Sequence, residues 1–293
     1  MNVILAMIAA FFWGTTYAVA QYSLSGWPPL LLGAIRALPA GLLLLAIKPS
    51  LPSKKDWPIL IRLGSVNIAM FFGLLFIMAQ TLPSAISGVG MVSLPVFAMF
   101  YYWLFHKTRP TKTQVTSGAI LISLAWLLFD PLNLKLNPVG LLAMFAALMS
   151  IVIGSNIIKS LGPKIHWWTV LSWQLIIGGL LLSVIAFLQA LHSPEQYLIP
   201  LQNFNLLNAL GLTWLVVLNT MLAYALYVWL LSRMTVVEFT FAGISNPLAG
   251  ILTGLLLVGE KFTLFQYMLM GLIIMTSLLG SLIGTYLERK KKG

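Results

Sequence analysis

Two asparagines, Asn67 and Asn219, lie 152 residues apart, each in the middle of a long apolar stretch. An amide that faces lipid would lose the hydrogen bonds that it makes in water, so each side chain must face protein or a cavity. Matched amides could bind a substrate between two halves of the molecule. They could equally form hydrogen bonds between helices. The sequence leaves both roles open.

Other side chains that could line a polar cavity fall in the same kind of stretch. Trp13 and Tyr17 are four residues apart, which places them on one face of a helix. Deep aromatic residues suit amino acids or aromatic metabolites as substrates, although helix packing is the commoner role for any one of them. The predicted substrate-binding residues are Asn67, Asn219, Trp13, Tyr17, Ser87, Met91, Tyr224, Tyr227 and Asn246.

Prolines and glycines mark two stretches as places where a helix bends or packs closely. Pro95 and Pro247 also match at the offset of 152 residues. Pro247 has no amide hydrogen, so it is expected to free the carbonyl of Gly243 as a polar lining group. Close packing of helix backbones explains the glycines as well. The predicted hinge residues are Pro95, Pro247, Gly88 and Gly243.

Arg36 is the only basic residue deep within an apolar stretch. A charge at that depth costs about 2.5 to 3.5 kcal/mol, so some group must compensate it. It could hold a substrate carboxylate. Backbone carbonyls or snorkelling toward the interface could satisfy it instead, and no Asp or Glu lies within a stretch to pair with it. The structural role is the favoured interpretation.

The elements that carry these residues are membrane spans. A chain of 293 residues that is 60% hydrophobic and 8% charged has too little polar surface to cover a soluble globule. A span needs about 20 apolar residues, and the β-barrel alternation of short segments is missing. We predict an all-α membrane protein with ten spans, approximately Val3–Ser23, Pro28–Ile47, Pro58–Gln80, Ser84–Phe105, Gln114–Phe129, Pro138–Lys159, Trp167–Leu191, Leu206–Leu231, Phe239–Val258 and Phe265–Leu287.

Several kinds of chemistry are disfavoured by missing components. The chain has no cysteine, and its acidic and histidine residues lie in breaks or at span ends. Metal sites, nucleophilic triads and a proton relay through a membrane carboxylate therefore lack their residues, and we expect neither a cofactor nor an enzyme. The net charge of +11 would suggest nucleic acid in a soluble protein, but here it follows the positive-inside pattern.

The loop charges predict the orientation. If the C-terminal run Arg289–Lys292 is cytoplasmic, ten spans place both termini in the cytoplasm. Only Lys135 and Lys261 then fall in outside loops. The inside loops hold Lys48, Lys54, Lys55, Lys107, Arg109, Lys112, Lys159, Lys164 and Arg233.

The chain repeats itself, and the repeat is predicted to be inverted. Five spans per copy is an odd number, so residues 1–133 and 138–293 would cross the membrane in opposite directions. Their loop charges swap accordingly: Lys48, Lys54 and Lys55 follow span two, whereas Glu195 follows span seven. Such a pair has a two-fold pseudo-axis in the membrane plane and a site at mid-depth. We therefore expect a central cavity lined by both copies.

The segment Phe11–Leu45, FFWGTTYAVAQYSLSGWPPLLLGAIRALPAGLLLL, resembles the start of an EamA-type repeat of the drug/metabolite transporter superfamily in Trp13, Gly14 and Arg36. A Gly-Glu dipeptide followed by Gln and Gly recurs as Gly259, Glu260, Gln266 and Gly271. In the first copy His106, Lys107 and Thr108 replace the dipeptide, while Gln114 and Gly118 are kept.

The resemblance implies ten helices in two inverted five-helix units, a central cavity and efflux of small metabolites. With its deep aromatic residues and few charges, the chain most resembles bacterial inner-membrane exporters of aromatic amino acids of the YddG type. We expect export of amino acids, aromatic or other neutral ones, by alternating access and without a coupling ion. A multidrug or cation exporter is the alternative, and a membrane-embedded enzyme or scaffold is a distant third. The sequence does not predict the oligomeric state.

Overall fold

Long apolar helices make up the described part of the chain. The computed structural model describes residues 2–107, 109, 110, 112–129, 136–233, 239, 243 and 245–276, and we find no strand within these ranges. Its helices are α1 (Asn2–Ser23), α2 (Pro29–Ile47), α3 (Trp57–Thr81), α4 (Ser84–Phe105), α5 (Lys112–Phe129), α6 (Pro138–Leu161), α7 (Trp167–His192), α8 (Pro194–Gln202), α9 (Leu206–Leu231), α10 (Ser245–Val258) and α11 (Leu264–Thr276).

The lengths of these helices fit a membrane protein. Seven of them, α1 to α4, α6, α7 and α9, are long and apolar enough to cross a bilayer, and α5, α10 and α11 contain shorter apolar helices. The predicted all-helical, membrane-spanning class is confirmed. The end of the tenth predicted span, the run Arg289–Lys292 and the predicted boundary near residue 133 lie outside the described residues.

Helices α3 and α9, which carry the two asparagines, both contain a π-helical segment. The segments are Gly64–Met70 and Trp214–Leu222, so a shift of 152 residues places the first within the second. A π segment widens the helix by one residue per turn and redirects the side chains and carbonyls around it. Both asparagines therefore lie where the helix geometry is irregular.

Helices α2 and α7 form the most extensive contact between the two halves. Gly41 of α2 lies against Ile176, and Gly179 of α7 lies against Leu38. A Cβ atom at Gly179 would be 2.6 Å from the Leu38 amide nitrogen, closer than real Cβ atoms approach. The glycines thus let the two backbones cross at short distance, which is the packing that small residues allow between membrane helices.

The remaining contacts between the halves come in matching pairs. Helix α1 packs on α9. When the two halves are exchanged, this contact corresponds to that of α6 with α3, which is also present. Helix α1 also packs on α10, as α6 packs on α4, and α4 packs on α10 itself. The helices that carry the predicted site residues therefore meet at the junction of the halves.

The predicted role of Pro247 is wrong in one respect. The Gly243 carbonyl is not freed, because it accepts a hydrogen bond of 3.0 Å from the Asn246 amide. Helix α10 begins at Ser245, so Pro247 lies in its first turn, where a missing amide hydrogen breaks no helical bond. Pro95 has the same place in the second half of α4, which restarts at Leu94 after a 3₁₀ turn at Met91–Ser93.

Candidate functional site

The Asn219 backbone and side chain form a hub of polar contacts between α9, α1 and α2. The Asn219 carbonyl accepts hydrogen bonds from Trp13 Nε1 and from Arg36 Nη2, each at 3.1 Å. Its side-chain Nδ2 donates to Thr16 Oγ1 at 2.6 Å. The residue is fully buried. The π segment thus offers a carbonyl to side chains of two other helices, although a regular helix would have used it internally.

Arg36 is buried in this hub, with 1% of its surface exposed. Its Nε donates to Thr220 Oγ1 at 2.8 Å, and Thr220 in turn donates to the Leu215 carbonyl. The guanidinium lies over the Phe72 ring, 4.3 Å from its centroid. Its Nη1 has no hydrogen-bond partner. Neutral groups therefore satisfy only part of the guanidinium, and no ion pair to it is found within the described ranges.

An aromatic cluster adjoins the hub. Trp13 packs edge-on against Tyr224 and Tyr227, with centroids 5.1 and 5.2 Å apart, and Tyr224 packs on Phe72 at 5.4 Å. Tyr227 and Ser155 Oγ of α6 share a hydrogen bond of 2.6 Å. The Tyr224 hydroxyl is buried without a partner. This aromatic cluster joins side chains from both halves of the chain.

Asn67 forms a second set of contacts between the halves. Its Nδ2 donates to Gln174 Oε1 of α7 at 2.8 Å, while Asn67 Oδ1 and Gln174 Nε2 are buried without partners. A Cβ atom at Gly154 of α6 would overlap the Asn67 side chain. Both asparagines thus make hydrogen bonds between helices, and each bonds to the other half. Substrate contact by either asparagine stays a prediction.

Helices α4 and α10 bring the remaining predicted residues together. Ser87 Oγ and Asn246 Oδ1 are buried without hydrogen-bond partners, and the Tyr17 hydroxyl interacts with Asn246. Gly88 faces Gly250 so closely that a Cβ atom on either glycine would lie 3.3 Å from the Cα atom of the other. Met91 is half-buried in the 3₁₀ turn of α4. The predicted hinge region is thus a tight crossing of two helices.

Sequence reasoning missed the polar partners that complete these contacts. Thr16, Thr220 and Gln174 each bond to a predicted residue. Gln174 is a lone amide in an apolar stretch, which is the signal that identified Asn67. The threonines carry no such signal, because a hydroxyl in a membrane helix can bond to its own backbone.

The carboxylate of Glu260 caps the start of α4. Its Oε1 accepts hydrogen bonds from the Ser84 amide and hydroxyl, both at 2.6 Å, and its Oε2 accepts from the Ala85 amide at 3.1 Å. The first amides of a helix have no internal partner, and a negative charge there is favourable. Glu260 therefore ties the loop after α10 to α4, a role that the sequence did not predict.

A pocket of about 480 Å³ opens at the helix ends on the same face as Glu260. Uncharged groups line it, among them Trp27, Gln80, Gln196, Asn203, Asn205 and Asn208. It is not the expected central cavity, since none of the predicted substrate-binding residues lines it. Within the described residues no group of three or more His, Cys, Asp or Glu side chains could hold a metal ion.

The EamA-like transporter family model matches residues 1–129 and 138–282. Protein PecM of Dickeya dadantii is 31% identical over 98% of this chain and 94% of its own. The uncharacterized inner membrane transporter YedA of Escherichia coli K12 is 26% identical over 94% and 88%. A solved crystal structure matches 100% of this chain and 99% of its own with a TM-score of 0.68 at 15% identity, a likeness of fold alone.

Proposed function

This chain belongs to the EamA-like transporter family, which makes it a transporter and not an enzyme, and from that premise we propose that it exports neutral amino acids, aromatic ones among them, and related small metabolites. The observation that carries the proposal is the buried junction of Arg36, the aromatic cluster and the unpaired polar atoms of Tyr224, Asn246 and Ser87. Buried polar groups in native proteins are almost always paired, so several unpaired polar atoms around one junction suit a small polar ligand.

Alternating access by two inverted five-helix units is the proposed mechanism. It is supported by the pairwise matching of helix contacts, by the two π segments at the same offset, and by the separate matches of the family model to residues 1–129 and 138–282. Two inverted units can exchange conformations, so that the site faces one side of the membrane and then the other. The tight crossing of Gly88 and Gly250 is the proposed fulcrum.

The proposed location is a bacterial inner membrane with both termini in the cytoplasm. The name of the relative YedA, an inner membrane transporter, supports the location in an inner membrane. The contacts between loops support the predicted grouping of the loops on two opposite faces. Trp168 Nε1 donates to the Lys48 carbonyl and Trp173 Nε1 to the Ser50 carbonyl, which joins two loops predicted to be inside. Glu260 joins two loops predicted to be outside.

A cation exporter of the same superfamily is the rival proposal, and the site argues against it. A buried cation needs a negative partner, and the charge already present at the junction is the positive Arg36. The absence of a carboxylate partner for Arg36 among the described residues favours an anionic or zwitterionic solute. It also favours movement down the solute gradient over coupling to protons.

Reconstitution tests this function directly. Liposomes that contain the purified protein are loaded with a mixture of neutral amino acids, and efflux is measured by mass spectrometry without any imposed ion gradient. Efflux of one or more amino acids above that of protein-free liposomes is expected. Efflux that requires a proton or sodium gradient would overturn the facilitative mechanism. Efflux from liposomes loaded with quaternary ammonium compounds, and none from those loaded with amino acids, would favour the cation exporter.

A further inference from the structure

Four buried polar atoms at the junction have no hydrogen-bond partner, and they could serve a ligand as donors or as acceptors. Arg36 Nη1 and the Tyr224 hydroxyl are the unpaired donors, and each is an electrostatic neighbour of the other. Asn246 Oδ1 and Ser87 Oγ are unpaired acceptors. Tyr17 interacts with both Arg36 and Asn246, so it links the two pairs of atoms.

Arg36 needs an anion that the described residues do not supply. Its fixed partners are the Asn219 carbonyl and the Thr220 hydroxyl, which are neutral. A buried cation without a negative partner is costly, and the planar guanidinium matches the two oxygens of a carboxylate. The Tyr224 hydroxyl can donate to the same carboxylate.

Asn246 and Ser87 suit an ammonium group, because an ammonium has three hydrogens to donate and no lone pair. The amide oxygen of Asn246 and the hydroxyl of Ser87 can accept them. The rings of Trp13, Tyr224 and Tyr227 pack on one another beside Arg36 and offer apolar surface to a side chain.

We propose that Arg36 and Tyr224 bind the carboxylate of the transported solute and that Asn246 and Ser87 bind its ammonium group, so that the site selects the zwitterionic backbone of an α-amino acid. This inference rests on the proposed function. It differs from a purely structural role of Arg36 in one respect: the ligand must carry both charges, whatever its side chain.

Binding to the full-length protein in detergent tests the proposal. A panel of neutral L-amino acids is screened by ligand-induced thermal stabilisation. The amino acid that stabilises most is then compared, by isothermal titration calorimetry, with its carboxamide and with its deaminated acid. The wild type is expected to bind the amino acid at least about 10-fold more tightly than either analogue, because each analogue lacks one charged group.

Two variants separate substrate binding from folding. Tyr224→Phe removes one hydroxyl without changing the ring. It is expected to weaken binding of the amino acid and of the deaminated acid about 10-fold and binding of the carboxamide less, because a hydrogen bond to a neutral oxygen is weaker than one to a carboxylate. Arg36→Met should weaken the binding of the same two ligands about 10- to 100-fold. If Arg36→Met does not fold, Tyr224→Phe and the wild-type ligand series still decide whether this site binds the carboxylate.

The carboxylate site and amino-acid transport are overturned by different results. Equal binding of the amino acid and its carboxamide, or no ligand-specific effect of Tyr224→Phe, would overturn the carboxylate site while amino-acid transport stood. If no amino acid binds the wild type or crosses the liposome membrane with it, both the site and the proposed function are overturned.

Discussion

At the scale of single residues, the site is a set of hydrogen bonds between the two halves of the chain. Asn67 and Asn219 were found from the sequence because an amide is conspicuous in an apolar stretch. Their partners were not predictable, because the register between distant helices depends on packing that sequence spacing does not encode. The aromatic residues Trp13, Tyr224 and Tyr227 do lie together, as their depth in the spans suggested.

Asn67→Leu tests whether the amide binds substrate or only joins helices. The change leaves Gln174 without its 2.8 Å donor, so a loss of about 1 to 3 kcal/mol in stability is expected. Unfolding in detergent is compared for Asn67→Leu, Gln174→Leu and the double variant. A double variant less destabilised than the sum of the single ones indicates direct coupling of the pair.

Transport by the same variants decides the role of Asn67. If the folded Asn67→Leu protein loses efflux but Gln174→Leu keeps it, Asn67 contacts substrate. Equal losses in both variants would assign the pair to helix packing.

At the scale of elements, glycines and helix ends determine how the spans meet. The sequence identified α2 and α7 as helices, but it gave no sign that they cross at Gly41 and Gly179. It also gave no sign of the π segments, because these depend on tertiary contacts more than on residue type. The proline positions were visible in the sequence, yet their effect depends on where each helix begins.

Gly179→Ala is expected to destabilise the protein by about 1 to 3 kcal/mol, because the new methyl group would meet the Leu38 backbone. Thermal unfolding in detergent provides the measurement. Gly271→Ala is the matched control, since nothing lies within 4 Å of a Cβ atom there. Equal melting temperatures for the two variants would contradict the close crossing of α2 and α7.

Glu260→Gln is expected to loosen the start of α4. The amide keeps one acceptor oxygen but loses the charge, and the helix cap weakens by about 0.5 to 2 kcal/mol. Hydrogen exchange at the first turns of α4 should rise in this variant. Glu195→Gln, at the start of the exposed helix α8, is the control and should leave α4 unchanged. Unaltered exchange in both would show that the cap contributes little.

At the scale of the whole molecule, composition and charge predicted the membrane class, which the structure and the family confirm. The ten-span count and the orientation remain predictions, since parts of the last two predicted spans lie outside the described residues. The central cavity could not be predicted in detail, because its shape depends on how side chains of distant helices pack, which sequence spacing does not encode.

Single cysteines test the orientation, and the chain has none of its own. Lys55→Cys and Gln202→Cys place one thiol on each predicted face, both at exposed positions. A membrane-impermeant maleimide should label Gln202→Cys in intact spheroplasts and Lys55→Cys only after permeabilisation. The opposite pattern would invert the predicted topology.

The Glu260 cap makes the two ends of the molecule energetically unequal. At the offset of 152 residues its counterpart is Thr108, which has no carboxylate to offer a helix start. In the proposed alternating-access cycle, opening the face that bears Glu260 would break its charge-assisted bonds to Ser84 and Ala85, and a threonine could form no charge-assisted bond of this kind on the opposite face. Without substrate, the favoured conformation would then be closed at the Glu260 face and open to substrate at the opposite face. A difference of one residue in one loop would thus decide which conformation of a nearly symmetric transporter is favoured without substrate.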